Sequence, residues 1–298
     1  MLSWVLIILF GWMAMQDCAL AQTPYHDSIT RNLPRIKDKR EQSRFLIRMS
    51  AGLMNSDTAL AREMAIKGLQ MANDLNDPAE IAGANYSLGK IAFLENKLDV
   101  ARNYLLKAMI IAKSSQNMPR YADALEQLCH INEMQGDYEE ARRLAMEMIP
   151  IRASTNEVAK IPSSYLILGN ILQLIGKYDS AIIFFNQALD LYEKNHNATG
   201  KAKVFNNIGN VHYYLGNYDT AIQYYLRSLQ IKIEQNDTVA QSKTLNNIAA
   251  IYYQNGNLPK ALHYYRRCMT MLYSMGHEPH LAIGLGNIGL VFYDMKKY

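Results

Sequence analysis

Lys203, Asn207, Asn210 and Tyr214 follow one another in steps of four, three and four residues, and the same steps return forty residues later as Lys243, Asn247, Ala250 and Gln254. On a helix these steps place each set on one face. A lysine supplies a point charge with three donors, and an asparagine supplies both a donor and an acceptor. Such a ladder has the chemistry to hold an extended peptide by its backbone and by a carboxylate. Asn170 in the preceding stretch extends it, as do Asn287 and Asp294 in the following one.

Other chemistry has little to work with. None of the seven histidines belongs to a His-Glu-x-x-His pair, and His277 and His280 flank a turn at Pro279 rather than a helical metal face. No Gly-x-Ser-x-Gly elbow occurs, and no glycine-rich phosphate loop follows a strand. The expectation is a protein without catalysis, cofactor or metal.

The elements that must carry the ladder come from a repeat. Gly136-Asp137-Tyr138, Gly176-Lys177-Tyr178, Gly216-Asn217-Tyr218 and Gly256-Asn257-Leu258 are spaced by forty residues, with weaker echoes at Asn96-Lys97-Leu98, Ser56-Asp57-Thr58 and Lys296-Lys297-Tyr298. A period of this length belongs to a solenoid whose units bury apolar faces against their neighbours. Within one unit, Phe205, Ile208, Val211 and His212 form the apolar stripe of a first helix, A, which Gly216 ends by entering the left-handed conformation. A second helix, B, begins near Tyr218 and buries Ala221, Tyr224, Tyr225, Ser228 and Leu229. Gly209 recurs as a small residue in almost every unit, which lets the partner helix approach closely.

The small residue eight into helix A, then Gly-x-Tyr, an alanine three residues on and a second small residue seven beyond resemble the tetratricopeptide repeat, in a long form exceeding the usual period of about 34 residues. The resemblance covers Gln42 to Tyr298. It implies an all-α, right-handed solenoid of antiparallel helix pairs, a superhelix whose A helices line a concave groove. Helix-A residues two, six, nine and thirteen would face that groove, which assigns it Lys203, Asn207, Asn210, Tyr214, Lys243, Asn247 and Gln254, joined by Asn170 and Asn287. The set resembles the Lys-and-Asn carboxylate clamp of peptide-binding members. Tyr213, Tyr253 and Tyr293 share one helix-A place from which they could stack on a ligand, although paired tyrosines in such repeats more often fill gaps between helices. The implied organisation is a degenerate capping repeat over 42–81, five repeats over 82–281, and the first helix of an incomplete sixth over 282–298.

Residues 1–21 read as a signal peptide: an apolar run from Leu2 to Met15, too short to span a bilayer, precedes the small-x-small triplet Ala19-Leu20-Ala21. Cleavage after Ala21 would leave residues 22–41 as an N-terminal segment and send the chain to the periplasm or outside the cell. No second apolar run suggests a membrane span in the mature chain. The net charge of +4 is spread out, with no basic run longer than pairs such as Arg266-Arg267, which argues against a nucleic-acid partner. Cys129 and Cys268 occupy places where sister repeats carry small residues, and both read as buried fillers rather than a disulfide pair. The sequence therefore points to an exported scaffold binding a protein or peptide in its groove. The alternative is the extracytoplasmic input region of a sensor kinase or transcriptional regulator, linked to a signalling output.

Overall fold

The computed structural model describes residues 32–274 and 278–296. The proposed signal peptide, Cys18, His277 and the last motif's Lys297-Tyr298 lie outside them. Among the described residues the chain is all-α, with thirteen α-helices, two short 3-10 turns and no strand. In order the helices are α1 (Lys39–Leu53), α2 (Thr58–Asp74), α3 (Pro78–Leu94), α4 (Leu98–Ser114), α5 (Met118–Gln135), α6 (Tyr138–Ser154), α7 (Ile161–Leu174), α8 (Tyr178–Lys194), α9 (Ala198–Tyr214), α10 (Tyr218–Glu234), α11 (Thr238–Gln254), α12 (Leu258–Ser274) and α13 (Glu278–Met295).

One turn design connects them. A residue with positive φ stands at Asn76, Asn96, Gln116, Gly136, Asn156, Gly176, His196, Gly216, Asn236 and Gly256, one every twenty residues. At each, the following N–H reaches back to a carbonyl five residues earlier, as from Lys97 to Ala92 at 2.9 Å and from Asp237 to Lys232 at 3.0 Å, which is the Schellman closure of a helix end. The residue making that bond also opens the next helix. Asp77, Asp137, Asn197 and Asp237 each turn a side-chain oxygen onto free N–H groups of the first turn, Asp237 onto Ala240 at 2.9 Å. A helix of about seventeen residues plus this three-residue joint makes twenty, and two such units make the forty-residue period.

The chain divides into two compact units, Met1–Ile131 and Asn132–Tyr298, with the division inside α5. In the first unit, α1 to α4 form successive antiparallel pairs around Leu46, Leu53, Leu60, Met64, Leu88 and Ile91. Arg40 reaches Asp77 at 2.7 Å and Arg44 reaches Glu80 at 2.8 Å, tying the first helix to the start of the third. Cys129 is buried there and takes part in no disulfide.

In the second unit, Leu229, Leu245, Ile248, Ile251 and Leu272 fill the space between the α9–α10 and α11–α12 pairs. Gly209 is open for a reason: a Cβ there would lie 2.7 Å from the ring of Tyr225 on α10. The expected burial shifts by one residue on α9. Val204 is fully buried, whereas Phe205 and His212 are half-buried, as is Tyr224 on α10. A helix covered on two sides, by its own partner and by the preceding pair, buries a wider arc than a single stripe. Phe205 and His212 lie at its edge, where His212 stacks on Tyr224 with ring centroids 5.5 Å apart and Phe205 meets the same ring tilted by 41° at 6.2 Å.

Candidate functional site

The second unit holds a cavity of about 630 Å³. Its walls come from A helices and from the deep ends of B helices. Asn170 of α7, Lys203 and Asn207 of α9, and Lys243 and Asn247 of α11 all line it, so five of the nine residues expected from the sequence stand together. Two hydrogen bonds between side-chain amides cross between successive A helices: Asn207 Nδ2 donates to Asn170 Oδ1 at 2.6 Å, and Asn287 Nδ2 donates to Asn246 Oδ1 at 3.0 Å. Each asparagine keeps hydrogen-bonding capacity beyond that bond, because an amide side chain carries two donor hydrogens and two acceptor sites.

The other expected residues do different work. Asn210 Oδ1 accepts from the buried Tyr225 hydroxyl at 2.7 Å, and is engaged in holding α9 to α10. Burial raises the Tyr225 phenol, which keeps it a donor. Tyr214 lies parallel to Tyr178, its ring centroid 6.1 Å away, and remains well exposed. Gln254 lines a separate cleft with Tyr253 and Asp294, where the Tyr253 hydroxyl donates to Asp294 Oδ2 at 2.5 Å. Asn287 touches the cavity's frame through Asn246 but does not line it.

Four polar residues of the cavity escape the sequence reading. Asn206 and Asn246 precede Asn207 and Asn247, and the repeated doublet Asn-Asn was the signal available. Ser242 is a buried residue of α11 whose hydroxyl bonds back to the Val239 carbonyl. Lys232 comes from the last turn of α10, at a place where sister repeats carry Ala112, Arg152, Tyr192 and Leu272. It is 7% exposed, and its Nζ donates to Thr244 Oγ1 at 2.6 Å. Removal from water pushes its amine down to about 8; Lys243 adds to the effect and Asp237 opposes it. Apolar surface from Leu166, Leu272 and Cys268 completes the lining. Cys268 donates its thiol to the Ser242 carbonyl at 3.2 Å, and burial raises its pKa.

Among the described residues no aspartate or glutamate lines this cavity, and no cluster of His, Cys, Asp and Glu has the geometry of a metal site. No helix of the described residues is long and apolar enough to cross a membrane. The arrangement is a concave surface that combines apolar patches, amide donors and acceptors, and positive charge.

Two sequence-family models, each described as a tetratricopeptide repeat, match residues 160–234 and 242–272. No curated protein matches the sequence significantly. Among solved structures, BtubC (BKLC) from P. vanneervenii is similar at a TM-score of 0.62 and 20% identity, over 74% of this chain and 93% of its own. A Rap protein complexed with competence and sporulation factor is similar at 0.60 and 14% identity, over 94% of this chain and 83% of its own. A signal transduction ATPase with numerous domains and a tetratricopeptide repeat sensor, from Pyrococcus horikoshii, reaches 0.67 at 16% identity over 92% of this chain; only 47% of that protein is covered. At these identities the likeness concerns the fold. The two matches identify tetratricopeptide repeats over residues 160–234 and 242–272, and the paired helices and these structures agree with that fold.

Proposed function

We propose that this chain is an exported, non-catalytic scaffold that takes an extended segment of a partner protein, or a free peptide, into the cavity of its second unit. The observation that carries the reading is the lining itself: five asparagines and three lysines around one concave space, with no described carboxylate to neutralise them. Amides suit a peptide backbone because they offer donor and acceptor together, and lysines suit its acidic groups. A cavity of this size lies within the usual range for ligand sites, about 300–1,000 Å³. A Rap protein of similar fold is solved complexed with competence and sporulation factor, which supports a scaffold that binds a partner.

Replacing Asn207 and Asn247 together by alanine tests the groove. Affinity for a peptide selected from a random display library is expected to fall at least tenfold, roughly the worth of two hydrogen bonds, with helical circular dichroism unchanged. Equal affinity would move binding off this surface. Export rests on the Ala19-Leu20-Ala21 triplet behind its apolar run, and N-terminal sequencing of the protein from the cell envelope tests it, with Gln22 as the expected first residue.

A second reading, in which the array is the input region of a signalling protein, is favoured by the similarity to an ATPase carrying a tetratricopeptide repeat sensor. An in-frame kinase or DNA-binding region beyond codon 298 would carry that reading over the stand-alone scaffold.

A further inference from the structure

Lys232 stands out among the buried groups of the second unit. Arg152, eighty residues earlier, is its repeat counterpart, and both donate to a hydroxyl twelve residues ahead, Arg152 to Ser164 and Lys232 to Thr244, each at 2.6 Å. Their surroundings differ. Arg152 is fully enclosed and also donates to the Lys160 carbonyl at 3.2 Å, whereas Lys232 forms part of the wall of an open cavity. Among the described residues the Lys232 ammonium donates to a neutral hydroxyl and meets no carboxylate within ion-pair distance. The nearby acid, Asp237, spends a carboxylate oxygen on capping α11. The other charged groups around the same space, Lys203 on α9 and Lys243 on α11, are positive, and the thiol of Cys268 on α12 is held neutral by burial. A buried cation in that company stabilises an anion placed beside it more strongly than an exposed cation would.

Depth sets what kind of anion fits. Lys203 and Lys243 are exposed, the asparagine doublets are half-buried, and Lys232 is only 7% exposed. A peptide backbone running along those amides leaves its main-chain atoms short of Lys232. A carboxylate reaches Lys232 on a side-chain stem, past the apolar surface of Leu166 and Leu272.

Building on the peptide-groove reading above, we propose that the cavity selects a peptide by an internal acidic side chain, whose carboxylate descends between α9 and α11 to pair with Lys232 while neighbouring aliphatic residues cover Leu166 and Leu272. Lys232 is then the specificity-determining residue, and the exposed lysines assist approach. Binding draws a proton onto the Lys232 amine when it starts neutral, so affinity is full below about pH 8 and declines above it.

Random heptapeptides displayed on phage, selected at neutral pH on the purified protein, give the probe. The leading sequence is then synthesised with both ends blocked and compared with its Glu→Gln counterpart by fluorescence anisotropy. The acidic peptide is expected to bind roughly tenfold or more tighter, the gain of a charge-assisted bond. Lys232→Met should bring the two peptides level, and Lys232→Arg should keep most of the preference. In the wild-type protein, lysine-selective 15N NMR should show the Lys232 titration midpoint rising when the acidic peptide is added, a readout independent of how any variant folds. Enrichment of peptides with no acidic position, an unchanged preference in Lys232→Met, an unmoved midpoint, or dependence on a free C-terminal carboxylate instead of the side chain would each overturn the proposal while leaving the groove standing. Failure of any peptide to enrich would overturn the groove reading and this proposal with it.

Discussion

The Lys232 ammonium donates to Thr244 Oγ1 across the joint between α10 and α11, at 2.6 Å. This pairing of a buried cation with a neutral hydroxyl stabilises the fold less than two apolar side chains of similar volume would, because the hydroxyl returns only part of the lost hydration. It gives the protein a pH-dependent stability whose sign is fixed. With its folded pKa lowered to about 8 from 10.5, the amine is a burden in the folded state below pH 8. Between the two values the unfolded chain holds a proton that the folded chain has released, so stability rises with pH, by at most about 1.4 kcal/mol per unit. Urea unfolding of Lys232→Met should lack this rise, and the difference between the two proteins should shrink from about pH 7 to about pH 10. A constant difference would mean that Lys232 titrates normally.

Gly209 and Tyr225 should behave as one unit. An alanine Cβ at Gly209 would sit 2.7 Å from the Tyr225 ring, which is wedged between α9 and α10. Gly209→Ala is expected to cost about 1–3 kcal/mol despite the better helix propensity of alanine. Thermal or urea denaturation checks it, and a neutral result would show that the ring has room to move.

Tyr225→Phe isolates the hydroxyl from the ring. Asn210 loses its 2.7 Å donor while the packing of the ring is kept. The expected loss is about 1 kcal/mol, the typical worth of such a bond. Unchanged stability would mean that water replaces the phenol at Asn210.

The left-handed joints are separately testable. Gln116 holds φ 56° where its sister joint at Gly136 has glycine at φ 80°. Gln116→Gly should therefore stabilise by up to about 1 kcal/mol, since a side chain in this region costs about 1–2 kcal/mol and glycine's extra unfolded freedom returns part of it. The reverse change, Gly216→Ala, should destabilise by a similar amount. Denaturation midpoints of the two variants moving in the same direction would contradict this account of the joints.

Half of the backbone design was legible in the sequence. Glycine marks the left-handed residue at Gly136, Gly176, Gly216 and Gly256, so those joints announced themselves. The alternate joints use Asn76, Gln116, Asn156, His196 and Asn236, and only hydrogen bonding after folding shows that they share one geometry. The groove followed the same division. Lys203, Asn207, Lys243 and Asn247 repeat on an amphipathic face, so helical spacing alone groups them. Lys232 resisted because it arrives from the other helix of the pair, and nothing local distinguishes a buried lysine near a helix end from a solvated one. Asn210 shares that face but does not line the cavity, and its Oδ1 accepts from Tyr225.

The joints keep a count of twenty, whereas the side chains keep a count of forty. Loss or gain of a single helix would leave every joint intact and the helices antiparallel, yet it would put a B face where an A face belongs and present Ala221-like and Tyr225-like surfaces to the groove. The smallest inheritable step for this protein is consequently a pair of helices. Lengthening the array in such steps adds rungs of new composition beside Asn170, Asn207 and Asn247 without disturbing the rungs already there.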